Sequence, residues 1–482
     1  MSIAAVRRAT SFDHAIAPVV PVLLVVAAAA CIAGFVRALA IVPLHVPLDP
    51  NEGWNAYHAA AAMAGHGLYP DASSFMSNNY PPLSFYLVGF LGTPIGDDIV
   101  AGRIVSLVSF LCMGGFVALA VRRMGDGWQA SCFAALFLAG VLVLTSDYVG
   151  MDDPQLLGHA LQLAAFLLIV REPRTLRAVV ASAGLLVAGG FVKHNLFALP
   201  LASLVWLALY DRRAALRLAI AIAGLSLLGL VAFRLCFGFD LLDRLASARS
   251  WSLAPLLDNI IAWLPVAAIP LCGLVALVAR RRNDRPVAFV AIYAAIAVSA
   301  GVLLLGGAGV DVNALFDADI ALALGAGLVL GRLLKQRHAA PHIAGRAFAL
   351  ASVLPLAVLV SRNHEWRDAS FWLDPMRDET ALAKDDIAFL RARPGPAICE
   401  TLAFCYWAGK PGPVDVFNLD QQLVTGARDP APFLKLIEAH HFSAIELDEI
   451  TPFPLPPPEQ TAILRNYRID HTDDEGLFYV PR

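Results

Sequence analysis

LDPNEGWNAYHAAAAMAGHGLYPDASSFMSNNYPP, residues 48–82, follows the first long apolar run of the chain and is too polar to enter a bilayer. Acids, amides and aromatic residues crowd into its start: Asp49, Asn51, Glu52, Trp54, Asn55, Tyr57 and His58. A helix capped by Asn51 and ending near Gly65 places Asn51, Asn55 and His58 at i, i+4 and i+7. Trp54, Tyr57 and Ala61 then form an adjacent face, a pattern that predicts a helix lying flat at a membrane interface. A second such segment, Pro81–Leu91, is too short to cross a bilayer core of about 30 Å.

The rest of the chain shows what this stretch is embedded in. Of 482 residues, 58% are hydrophobic and 16% charged, against roughly 45–50% and about 25% for a soluble domain. Long Ala/Leu/Val runs predict about eleven transmembrane helices, near 16–42, 99–121, 128–146, 154–170, 178–192, 196–210, 214–236, 258–279, 286–306, 316–334 and 345–361. Arginines collect in alternate loops (Arg7, Arg8, Arg122, Arg123, Arg171, Arg174, Arg212, Arg213, Arg280–Arg282), while acids collect in the others. Cationic loops stay in the cytoplasm, so the N-terminus is expected inside and the C-terminal segment outside. The fold class is an all-α polytopic membrane protein with interfacial helices in the first outer loop (43–98) and a small C-terminal α/β extracytoplasmic domain. The expected division is 1–361 for the membrane part and 362–482 for the soluble part.

Residues 362–482 carry 12 Lys/Arg against 20 Asp/Glu and mix helix-like with strand-like text. Cys399 and Cys405 either form a disulfide there or remain two free thiols. No strongly basic surface points to nucleic acid, no phosphate-binding GxxxxGK[ST] points to ATP-driven transport, and no internal repeat is evident.

Several short motifs occur in order: the acids Asp49 and Glu52, Gly53–Ala59, Gly65–Asp71, Tyr80–Leu87, Gly102–Leu107, Asp152-Asp153-Pro154 and Phe191-Val192-Lys193. Their order and topology resemble the GT-C superfamily of membrane glycosyltransferases, in particular the protein O-mannosyltransferase and aminoarabinose-transferase type, over roughly the first 210 residues. The resemblance implies an inner-membrane enzyme. It would move a sugar from a polyprenyl-phosphate donor to a periplasmic or cell-surface glycan, lipid or protein, with inversion at the anomeric carbon. A lipid phosphate leaves as a stable anion, so the chemistry needs a carboxylate to take the acceptor proton and cations to meet charge on the phosphate.

The catalytic candidates are therefore Asp49, Glu52, Asp152 and Asp153, with either Asp49 or Glu52 as base. The substrate-binding candidates are Lys193, His194, Arg103, Asn51, Asn55, His58 and Tyr80. Two departures from the family pattern stand out. Asn51 occupies the position before the Glu where relatives commonly have Asp, and Asn78-Asn79 replaces a Lys before the Tyr-Pro-Pro segment. A divalent cation among the four acids is left open, as some relatives use one and others do not. The rivals are a flippase or transporter of a lipid-linked sugar, whose acids would relay protons, and a non-catalytic scaffold presenting a binding domain.

Overall fold

The computed structural model describes residues 18–71, 73–245, 249–336, 339–363, 365–448 and 453–482; Arg7 and Arg8 lie outside them. In chain order the first helices are α1 (Val19–Ile41), α2 (Asn51–Ala64), α3 (Leu83–Ile95), α4 (Asp98–Arg123), α5 (Trp128–Thr145), α6 (Gln155–Ile169) and α7 (Leu176–Val192). There follow α8 (Ala198–Tyr210), α9 (Arg212–Phe237), α10 (Leu241–Leu245), α11 (Leu253–Arg280), α12 (Arg285–Leu304), α13 (Phe316–Leu334) and α14 (Ala339–Arg362). The C-terminal region comprises α15 (Ala369–Leu373), α16 (Arg377–Arg391), β1 (Ala397–Cys399), α17 (Leu402–Trp407), α18 (Val416–Val424), α19 (Ala431–Glu438), β2 (Ala444–Leu447), α20 (Pro457–Asn466), β3 (Tyr467–Asp473) and β4 (Gly476–Pro481).

The chain is a multi-pass membrane protein. Among the described residues, α1, α4, α5, α9, α11, α12, α13 and α14 are long and apolar enough to cross a bilayer. The other three predicted spans fall on α6, α7 and α8, which are shorter. At about 1.5 Å per residue, the 15 residues of α6 reach roughly 22 Å. Most of α6 is buried against protein rather than lipid, so its length need not match the bilayer. Helix α13 is buried at every position from Phe316 to Gly331, as expected of a helix apolar on all sides at the centre of a bundle.

The connections alternate between two ends of the bundle. At one end Asp126, between α4 and α5, accepts from Arg332 at 3.2 Å and Lys335 at 2.8 Å, and Arg174 pairs with Asp211 at 3.1 Å. At the other end lie the 42–97 segment, the α5–α6, α9–α11 and α12–α13 connections, and the C-terminal region.

Helix α2 is enclosed by protein on most of its surface. Its residues Glu52, Gly53, Trp54, Asn55, Ala56, His58, Ala59 and Ala62 are all buried, because α3, α4 and α17 enclose it. Asn51 does not cap it: the helix begins at Asn51, whose own backbone N–H donates to Asp49 Oδ1 at 2.8 Å. Gly65, at φ 75°, ends it in the left-handed conformation that glycine adopts freely.

The C-terminal sheet has the order β1-β2-β4-β3, with β1 and β2 parallel and the other pairs antiparallel. Cys399 and Cys405 are disulfide-bonded. This region shares a core with the membrane part: Val46, Ala56 and Ile99 pack with Ala383, Ile387, Phe404 and Phe478. Tyr57 donates to the Lys410 carbonyl at 3.1 Å, Trp407 to Asp97 at 3.0 Å and Tyr406 to Asp98 at 3.1 Å.

Gly53 is where the two parts touch most closely, since a Cβ there would lie 2.1 Å from the Ala403 nitrogen. Backbone cannot yield as a side chain can, so Gly53→Val should cost at least the roughly 1–3 kcal/mol of an overpacked core. Thermal unfolding of the purified chain checks this: the midpoint should fall, and proteolysis between residues 362 and 377 should accelerate.

Candidate active site

The site is organised around a fully buried ion pair. Arg103 Nε donates to Glu52 Oε1 at 2.7 Å and Nη2 to Glu52 Oε2 at 2.6 Å, with neither side chain exposed. The rest of the guanidinium caps the chain leaving α1: Nη1 reaches the Leu44 carbonyl at 2.7 Å and Nη2 the Val46 carbonyl at 2.6 Å. Glu52 accepts two further bonds, from the backbone N–H of Leu48 at 2.9 Å and of Asp152 at 3.0 Å. Every oxygen of this carboxylate is engaged. In this geometry Glu52 has no oxygen, and Arg103 no N–H group, left without a protein partner.

Asp152 and Asp153 follow from the loop that Glu52 holds. Asp152 is buried, its carbonyl accepts from Asn55 Nδ2 at 2.7 Å, and its carboxylate lies against Gly102, where a Cβ would sit 1.8 Å from Oδ1. Burial, reinforced by the Glu52 and Asp153 charges, pushes the Asp152 carboxyl well above the usual range. Asp153 is instead ionically matched, with Lys193 Nζ 3.2 Å from Oδ1 and 3.3 Å from Oδ2. Lys193 also sits 5.2 Å from the centre of the Tyr80 ring, which His194 meets edge-on at 6.2 Å.

Asp49 is the acid left facing open space. Both bonds from Asn51, at 2.8 and 2.7 Å, fall on Oδ1, so Oδ2 has no protein partner among the described residues. Partial burial raises its carboxyl to about 6. Asp49 lines a cavity of about 160 Å³ with Asn51, Trp54, Tyr80 and Asp153 from the membrane side. Asn55 and His58 do not line it. His58 is 1% exposed, sits 3.1 Å from the Ser77 carbonyl and packs on Trp54 and Phe85, so its expected substrate role gives way to packing.

The opposite wall of the cavity carries no motif by which its residues stand out in the sequence. Glu400, Asp415, Phe417 and Asn418 of the C-terminal region close the cavity, joined by Arg249 and Asp311 from other loops. Asp415 accepts from Trp54 Nε1 at 3.1 Å and from Ser77 Oγ at 3.3 Å. Arg249 lies 4.6 Å over the Phe417 ring, and its Nη1 is buried without a partner among the described residues. Its place beside Trp251 in a sparsely cationic loop was the only signal available. Two larger clefts adjoin. One of about 580 Å³, sharing Asn79 and Asn418 with the cavity, opens between Asp71, Arg244 and Asp429. The other, about 280 Å³, is an apolar groove along Leu186, Phe191, Phe197 and Leu230 with His194 on its wall.

The four acids of the sequence analysis do not fit a shared metal ion. Glu52 is matched by Arg103 and Asp153 by Lys193, and among the described residues no three of the four converge.

No family model matches this sequence, and no curated protein matches it. Solved structures do. The fold is similar to ArnT, an aminoarabinose transferase from Cupriavidus metallidurans, at TM-score 0.60 and 15% identity, covering 95% of this chain and 97% of that one. A second ArnT structure, bound to undecaprenyl phosphate, matches at 0.60 and 14%, covering 94% and 97%. The archaeal oligosaccharyltransferase AglB from Archaeoglobus fulgidus, in complex with an inhibitory peptide and a dolichol-phosphate, matches at 0.53 and 12%, covering 89% of this chain and 69% of that one. The chain has the GT-C fold.

Removing one partner of a buried pair leaves the other charge uncompensated, at roughly 3–5 kcal/mol. Arg103→Met should therefore lower the thermal midpoint much further than Asp49→Asn, which touches only Asn51. Equal midpoints for the two variants, measured in the same detergent, would contradict the structural role of the pair.

Proposed function

We propose that the chain is an inverting glycosyltransferase of the inner membrane, moving a sugar from a polyprenyl-phosphate donor to a glycan, lipid or protein acceptor on the outer face. The observation that carries this reading is the single carboxylate oxygen, Asp49 Oδ2, without a protein partner among the described residues, in a cavity also lined by Arg249, whose buried Nη1 has no hydrogen-bond partner among them. The fold and the undecaprenyl phosphate and dolichol-phosphate bound by its neighbours support a polyprenyl-phosphate donor.

In this reading the acceptor hydroxyl gives its proton to Asp49 Oδ2, and its oxygen attacks the anomeric carbon as the bond to the phosphate oxygen breaks on the opposite face. The electron pair leaves with the lipid phosphate, whose growing charge Arg249 meets. Lys193, buried and held by Asp153, supplies a second positive charge beside the cavity-lining Tyr80 ring, and the isoprenoid tail would lie in the apolar groove on which His194 borders. The larger polar cleft is the route for the acceptor. Loop charge supports a cavity outside the cytoplasm, and the Cys399–Cys405 bond suits that oxidising side.

Asp49 raised by burial to about 6 must be ionised to accept a proton. Transfer should thus be at full rate above that pH and fall about tenfold for each unit below it. Asp49→Asn should lose roughly 10²–10⁴-fold in rate with the midpoint of unfolding preserved. Mass spectrometry of surface glycans or glycolipids reads the outcome; undiminished transfer in the Asn variant would remove Asp49 from the chemistry.

A further inference from the structure

Away from the cavity, three ligand-type side chains of the C-terminal region converge. Asp386 lies on α16, His471 and Asp473 on β3, and one ligand atom from each falls within 4.8 Å of the other two. His471 Nε2 is 3.3 Å from Asp386 Oδ1 and 3.8 Å from Asp473 Oδ2. An ion with tetrahedral bonds of about 2.0–2.1 Å separates its donors by roughly 3.3–3.4 Å, so these spacings already bracket the required geometry.

Each ligand is aimed by something else. The register of β3 against β4 shifts between Ile469 and His471, and such an irregularity turns a side chain out of the normal alternation. The His471 ring is then stacked on Phe478 at 4.5 Å and met edge-on by Phe389 at 4.7 Å. Its other nitrogen, Nδ1, lies 3.3 Å from Asp470 Oδ2, the carboxylate–imidazole contact that fixes the tautomer of a metal-bound histidine. Asp473 Oδ1 accepts from the N–H groups of Glu475 and Gly476 at 3.0 and 3.2 Å, which leaves Oδ2 turned to His471.

An ion pair of His471 with Asp386 does not account for the whole arrangement. The Asp386 side chain is 2% exposed, yet its Oδ2 has no hydrogen-bond partner among the described residues. A buried carboxylate oxygen without a donor carries a desolvation cost that a cation would remove.

We infer that Asp386, His471 and Asp473 form a binding site for a divalent cation of the zinc class. One imidazole and two carboxylates are the donor set such an ion accepts, and partly exposed His471 leaves room for water as the fourth ligand. The ion would clamp α16 to the β3–β4 hairpin.

The test uses the full chain in detergent, stripped with chelator and titrated with Co²⁺ and Zn²⁺. The visible absorption of four-coordinate cobalt should saturate at one equivalent and be displaced by zinc. It should disappear in His471→Ala and in the isosteric Asp386→Asn, and persist in Asp49→Asn. Asp470→Asn should weaken zinc binding about 10–100-fold. Zinc should raise the unfolding midpoint of the unaltered chain and not that of His471→Ala. Three results would overturn the site: no cobalt band, a band retained in both ligand variants, or a band lost in Asp49→Asn.

Discussion

The Glu52–Arg103 pair fixes the geometry on which the rest of the site depends. Burying two charges is expensive, and their mutual attraction repays it only when the remaining donors and acceptors are satisfied. Here they are: the guanidinium reaches carbonyls in the 44–46 segment, and the carboxylate collects N–H groups from Leu48 and Asp152. One contact therefore joins the exit of α1, the start of α2, the wall of α4 and the loop before α6. Three stretches distant in sequence, 44–52, the start of α4 and the loop before α6, become one corner, and Asp49 stands three residues before Glu52 in it.

This corner divides labour among acids that look alike in the sequence. Glu52 is spent on structure. Asp152 is held by its backbone in a tight seat against Gly102, too buried to carry charge cheaply. Asp153 orients Lys193. Only Asp49 combines a fixed position, set by Asn51 on one oxygen, with a second oxygen facing the cavity. Asn51, where related enzymes commonly have an acid, thus acts as the donor that aims its neighbour. A second acid there would repel Asp49 instead of anchoring it.

Much of the fold was legible because bilayer thickness and hydrophobic length are linked so directly: every predicted span falls on a helix, though three of those helices are shorter than a crossing needs. The polar stripe of α2 was legible as amphipathicity but not as burial, since Asn55 Nδ2 and His58 Nε2 meet the carbonyls of Asp152 and Ser77, partners that periodicity cannot reveal. Arg103 gave no sign of its partner for the same reason: Glu52 lies 51 residues away. The cavity wall from Glu400 to Asn418 was illegible altogether, because its residues carry no motif and acquire meaning only by docking on Trp54.

That docking bears on the idea of a scaffold with an appended binding module. Trp54 Nε1 is shared between the Ser77 carbonyl and Asp415 Oδ2, so the 42–97 segment and the C-terminal region complete the same hydrogen-bond cluster. Glu400 enters the cavity wall from within the loop that Cys399 and Cys405 close. Without this roof, Arg249 would lose Phe417, and Asp49 would open to bulk water. Burial is what raises the Asp49 carboxyl toward the pH at which a base works best. A region that buries the candidate base and packs Phe417 against Arg249 belongs to the same candidate site as the segment that carries Asp49.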